Sequence, residues 1–147
     1  MKNYMDKLDR VNVRQTEFGQ LLGLNLKGLT KRVALAMIRD NIETKFNGIE
    51  LRAATEKQIA LGRKFSLDLS NLTAGVASAY IKDVMETLNF KSIDEQDINP
   101  GDYVINKYDK SRTEHIVSSI SKEGYLYFKK SGGGAARYMI KSAKELR

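Results

Sequence analysis

No cysteine occurs among the 147 residues, which excludes disulfides and thiolate metal sites and is compatible with a reducing cytoplasm. The only histidine, His115, has no cysteine to activate and too few partners for a usual structural zinc set. Carboxylates are scattered, and no motif pairs two of them across a cleft. Only an assembly in three dimensions could make a carboxylate site, so neither catalysis nor a cofactor or metal is expected. The longest apolar runs fall far short of the roughly 18 residues that cross a bilayer, and Met1–Asp6 has no signal-peptide stretch, so a cytoplasmic protein without a membrane partner is expected. The single proline, Pro100, stands in Asn99-Pro100-Gly101-Asp102, a turn signature that marks a change of organisation.

What is present is basic. The formal net charge is +7, which favours polyanionic partners. Ten Lys/Arg against five Asp/Glu lie in residues 100–147, so the smaller C-terminal part holds +5 of the excess.

An internal repeat organises the rest. Shifted by 43 positions, residues 15–46 match 58–89 at thirteen of 32 positions without a gap, against roughly two expected by chance. Gln15/Gln58, Gly19/Gly62, Leu26/Leu69, Thr30/Thr73 and Asp40/Asp83 are among the identities, and Arg39/Lys82 is a mild exchange. Each copy reads as helix, extended loop, helix. Thr55-Glu56-Lys57-Gln58 is a capping box, and Thr30 and Thr73 are N-caps of the second helices. Val33, Ala34, Met37, Ile38 and Ile42 form an apolar stripe, matched by Val76, Ala77, Tyr80, Ile81, Val84, Met85 and Leu88. A unit of about 30 residues cannot bury both its helices alone. Two copies packed together are therefore expected, as a helical domain over residues 1–90 with an added helix in Met1–Val13 built on Met5, Leu8 and Val11. The partly acidic segment 91–99 reads as a linker.

The pattern entered through Thr55-Glu56-Lys57-Gln58 and continued by Leu72-Thr73 and Ala77-Ser78-Ala79-Tyr80-Ile81 resembles the SAP-type helix–extended loop–helix fold and small units of phage and mobile-element proteins. The resemblance implies a DNA-associated role.

Residues 100–147 read as β-structure. Strand-like runs lie at Tyr103–Tyr108, Glu114–Ile120, Tyr125–Lys130 and Arg137–Lys141, with a turn at Ser121–Gly124. Pro100-Gly101-Asp102 followed by Tyr103-Val104-Ile105 and a hairpin resembles the opening of SH3-like barrels. The expected fold class is thus α+β: two repeated helix–loop–helix units, then a small SH3-like antiparallel β-barrel.

Six of the twelve aromatics lie in this part, interleaved with cations. Period-two geometry puts Tyr125, Tyr127 and Lys129 on one face and Leu126, Phe128 and Lys130 on the other. If Leu126 and Phe128 face the core, the two tyrosines can stack bases while Lys129 meets phosphate. Alternatively the tyrosines are ordinary cross-strand pairs. The run Ser131–Arg137 fits no Walker A or dinucleotide pattern. It reads either as an inter-strand loop or as a backbone that approaches an anion closely, with Arg137 completing it. Lys27, Lys31 and Arg32 surround the start of the second helix of copy one.

The candidate nucleic-acid-binding residues are therefore Lys27, Lys31, Arg32, Lys110, Arg112, Tyr125, Tyr127, Lys129, Lys130, Gly133, Arg137 and Lys141. The expected function is a non-catalytic nucleic-acid-binding accessory protein, with DNA favoured over RNA. The alternative is a protein-interaction module or an inhibitor of a host nuclease or defence factor.

Overall fold

A computed structural model describes residues 4–106, 110–111, 113–122, 124–129, 134–135 and 139–141. Its described elements make an α+β chain of helices followed by a small antiparallel sheet. It divides into two compact units, one of residues 5–84 and one of residues 1–4 and 85–147.

The helical unit holds α1 (Val13–Leu21), α2 (Lys31–Lys45), α3 (Glu56–Lys64) and the first part of α4 (Ala74–Gln96). Its local bonds recur at the 43-residue interval of the sequence. Asn12 opens α1 with a capping box to Gln15, and Thr55 opens α3 with the same box to Gln58. The carbonyl oxygen of Gly19 accepts from Leu24 N–H, as that of Gly62 does from Leu67 N–H. Val11 N–H donates to the Leu29 carbonyl and Lys31 N–H to that of Asp9; Ala54 to Leu72 and Ala74 to Arg52 repeat that short antiparallel contact.

The interhelical polar bonds are reciprocal. The Thr30 hydroxyl accepts from Val33 N–H at the start of α2 and donates to Asp83 Oδ2 at 2.5 Å. The Thr73 hydroxyl accepts from Val76 N–H at the start of α4 and donates to Asp40 Oδ2. A hydroxyl can do both at once, which is why each cap also ties its helix to the other. Arg32 Nη1 bonds Asp83 Oδ1 at 2.8 Å, so the carboxylate, almost wholly buried, carries a cation. The matching place beside Asp40 is Gly75.

Apolar packing follows the expected stripes. Leu26, Ala34 and Ile38 form one buried cluster, with Met37 and Ile42 against it; Val33, Val76 and Ala79 form another, with Tyr80 against it. Leu26 and Leu69, the buried leucines of the two extended loops, each contribute about 2–3 kcal/mol by leaving water. Each lies under a glycine of the preceding helix, Gly19 or Gly62.

Two expectations about boundaries are corrected. Residues 4–12, within the segment expected to be an added helix, do not form an α-helix. They make a 3-10 turn, Tyr4–Lys7, and then run extended, because Asn12 caps the helix that follows. Leu8 is nevertheless buried. Residues 91–96, expected to be a linker, continue α4. Lys91, Asp94 and Glu95 are its exposed positions, Lys91 and Glu95 lie 4.0 Å apart one turn away, and Ile93 packs inward. The acidic character that suggested a linker is one face of a helix. Asp97, at positive φ, ends it, as a left-handed residue commonly does.

The sheet of the second unit has β1 (Tyr103–Asn106), β2 (Glu114–Ile120), β3 (Leu126–Phe128), β4 (Gly134–Ala135) and β5 (Met139–Lys141), all antiparallel in the order β4-β3-β2-β1-β5. Ile98, Val104, Val117, Leu126 and Phe128 are its buried core, with Ile93 and Ile120 beside them. The expected third strand is shorter than Tyr125–Lys130. Tyr125 closes the turn by accepting from Ser121 N–H, and Lys129 N–H returns to the Ile116 carbonyl. Within the run read as a loop, Gly134 and Ala135 are paired to Tyr127 and Leu126.

Candidate functional site

Strand β3 has one buried and one exposed side. Leu126 is fully buried and Phe128 nearly so, while Tyr125 and Tyr127 are 45% and 48% exposed. Lys129 is exposed too, and no described group pairs with its ammonium. Period-two alternation produces this split once the Leu126/Phe128 side meets Val117 and Ile98. A shift of register between Val117 and Ser119 adds a residue to β2 opposite β3, and Ser118 Oγ donates to the Tyr127 carbonyl at 2.9 Å, fixing the backbone under the exposed ring. His115, the lone histidine, stacks on Phe128 with ring centroids 4.5 Å apart. It belongs to the packed side, away from the two tyrosines. The result is two aromatic faces and one ammonium displayed together, a set that can stack planar groups and meet an anion.

A second concentration of polar groups lies in the helical unit. A groove of about 330 Å3 runs between α2 and α4, lined by Arg32, Leu35, Ala36 and Arg39 from one helix and Gly75, Ser78, Ala79 and Lys82 from the other. These are four pairs at the 43-residue interval. The lining holds three cations and no carboxylate. Small residues stand in the lining between the long side chains. Arg32 is held by Asp83, whereas Arg39 and Lys82 are exposed and no described group pairs with them.

The candidates named from the sequence therefore separate. Tyr125, Tyr127 and Lys129 are brought together. Lys110 is exposed in the connection between β1 and β2. Arg32 lines the groove, but as the partner of a buried aspartate. Lys27 and Lys31 are exposed near the start of α2 and do not line it. Lys141 lies in β5, where its backbone pairs with Val104. Arg112, Lys130, Gly133 and Arg137, with the Lys141 side chain, lie outside the described residues. The sequence reading passed over Arg39 and Lys82. The signal for them was available, since a cation kept at the same place in both copies, three residues from a paired alanine, marks a shared helix face.

Among the described residues, no cluster of three His, Asp or Glu side chains could hold a metal, and no helix is long and apolar enough to cross a membrane. The loop after α3 holds one perturbed acid. The Ser70 hydroxyl and N–H donate to Asp68 Oδ1 at 2.5 and 3.0 Å, and these bonds, aided by Arg63, hold its carboxyl below the usual carboxylate range.

Compared with known proteins, the chain matches no family model, and no curated protein or solved structure is significantly similar to it.

Proposed function

We propose that this protein is a non-catalytic nucleic-acid-binding accessory protein that takes single-stranded DNA on the exposed side of β3. The observation that carries the reading is the joint display of Tyr125, Tyr127 and Lys129 on a strand whose opposite side is core. Aromatic faces contribute about 1–3 kcal/mol per stacked base, and a neighbouring ammonium serves the phosphate. The net charge of +7 agrees with a polyanionic partner.

Two finer readings of the fold support this assignment. The helical unit is read as a duplicated helix–extended loop–helix unit of SAP-like form; its matching caps, glycine contacts and reciprocal Thr–Asp bonds favour that origin. The sheet is read as an SH3-like barrel: a meander whose last strand returns to pair with its first is the connectivity a small barrel needs.

Fluorescence anisotropy with labelled single- and double-stranded DNA at two salt concentrations tests the proposal. The wild-type chain should bind single strands, and affinity should fall steeply with salt. Tyr125→Ala with Tyr127→Ala should weaken binding by about 2–4 kcal/mol without disturbing the core. Absence of binding at low salt would refute the assignment. A protein captured equally well after nuclease treatment would then favour the inhibitor reading.

A further inference from the structure

We infer that the groove between α2 and α4 is an anion site that seats adjacent phosphates of a polyphosphate chain or a nucleic-acid backbone. It stands on the helical unit alone and does not need the β3 face to bind anything.

Arg39 projects from one helix and Lys82 from the other, at places related by the 43-residue interval, around a space that no carboxylate lines. Like charges gathered at one groove repel, and an anion between them removes that cost. Arg32 lines the groove as well, but Asp83 already meets its charge, so it adds an oriented donor rather than a free cation.

Shape then selects the ligand. A space of about 330 Å3 is larger than one phosphate requires. Cations supplied by two different helices suit a ligand whose negative charges are spaced along a chain. Gly75, Ala36 and Ala79 add little bulk to the lining, which lets a chain lie close to the helices, and the Ser78 hydroxyl can donate to a phosphate oxygen. Apolar lining, which a flat aromatic or lipid ligand would want, is limited to Leu35, itself exposed, and the alanines.

The test uses the full chain with two probes, inorganic tripolyphosphate by calorimetry and duplex DNA by anisotropy across a salt series. Arg39→Gln with Lys82→Gln should weaken tripolyphosphate by about tenfold for each charge lost. It should also reduce the log–log salt slope for DNA by about two. Both residues are exposed, so unchanged circular dichroism is expected. Leu35→Lys, a groove-lining change that adds a charge, should tighten binding and provides a second measure. Loss of tripolyphosphate with an unchanged DNA slope identifies a free polyphosphate as the ligand, and a reduced DNA slope identifies a nucleic-acid backbone. Tripolyphosphate binding by a chain that ignores both this duplex and the single strands used to test the β3 face would sink the proposed function and leave the groove standing. Equal binding of both probes by the wild type and the double variant, or no binding of either, overturns the inference.

Discussion

Alanine at Gly62 probes a close approach of helix and loop within the helical unit. A Cβ there would stand 2.7 Å from Leu69 Cδ1, 2.8 Å from Leu69 Cγ and 3.1 Å from the Leu67 carbonyl oxygen. Carbon atoms rest comfortably at about 3.5–4 Å, so α3 and its loop must part by roughly 1 Å. Leu69 is only 1% exposed and cannot swing into solvent. Overpacking of this kind costs about 1–3 kcal/mol, and the better helix propensity of alanine returns up to about 1. The net expectation is a loss of about 1–2 kcal/mol, or a Tm lower by roughly 2–8 °C for a chain of this size. Thermal and urea unfolding followed by far-ultraviolet circular dichroism measure it. Adding Leu69→Ala opens the space, so the double variant should lose less than the sum of the single losses. A Gly62→Ala chain as stable as wild type, or strictly additive losses, would show that the helix and loop do not meet as described.

Two other outcomes follow from the polar bonds. Arg32→Met leaves the Asp83 carboxylate without its cation; because the arginine side chain is 36% exposed, solvent softens the effect, and a loss of about 1–3 kcal/mol is expected in urea unfolding. A change within about 0.5 kcal/mol would argue that Thr30 alone suffices. Asp68 should titrate below the usual carboxylate range in an NMR pH series, and Ser70→Ala should move it upward. Its folded value lies below its unfolded one, so its contribution is present above the unfolded value and is lost as pH falls through the folded one. An ordinary titration in the wild type would refute the Ser70 bonds.

What could be read from the chain was local or periodic. Thr30, Thr55 and Thr73 act as caps, Val33, Ala34, Ile38, Val76 and Ala77 of the two stripes are buried with the others half-buried, and the Tyr125/Tyr127 side of β3 is exposed. The Asn12–Gln15 box escaped notice because asparagine replaces the threonine of the second copy, although its side-chain oxygen does the same work. The buried Asp83 was equally hidden. An aspartate in a helix looks solvated until its partners, Thr30 and Arg32, arrive from more than fifty residues away. The continuation of α4 was masked by Asp94 and Glu95, whose place on the exposed side depends on Ile93 and Ile98 finding the sheet core. The groove required knowing that α2 and α4 pack along their small residues, which no single helix reveals.

Helix caps are usually settled within one turn of chain, but here they carry a long-range condition. Thr30 finds its acceptor 53 residues later and Thr73 finds its own 33 residues earlier. On the ribosome, α2 therefore emerges with its threonine hydroxyl donating to water, and only the arrival of Asp83 completes it. The two halves must consequently order together, and loosening of either aspartate will be felt first at the opening turn of the opposite helix.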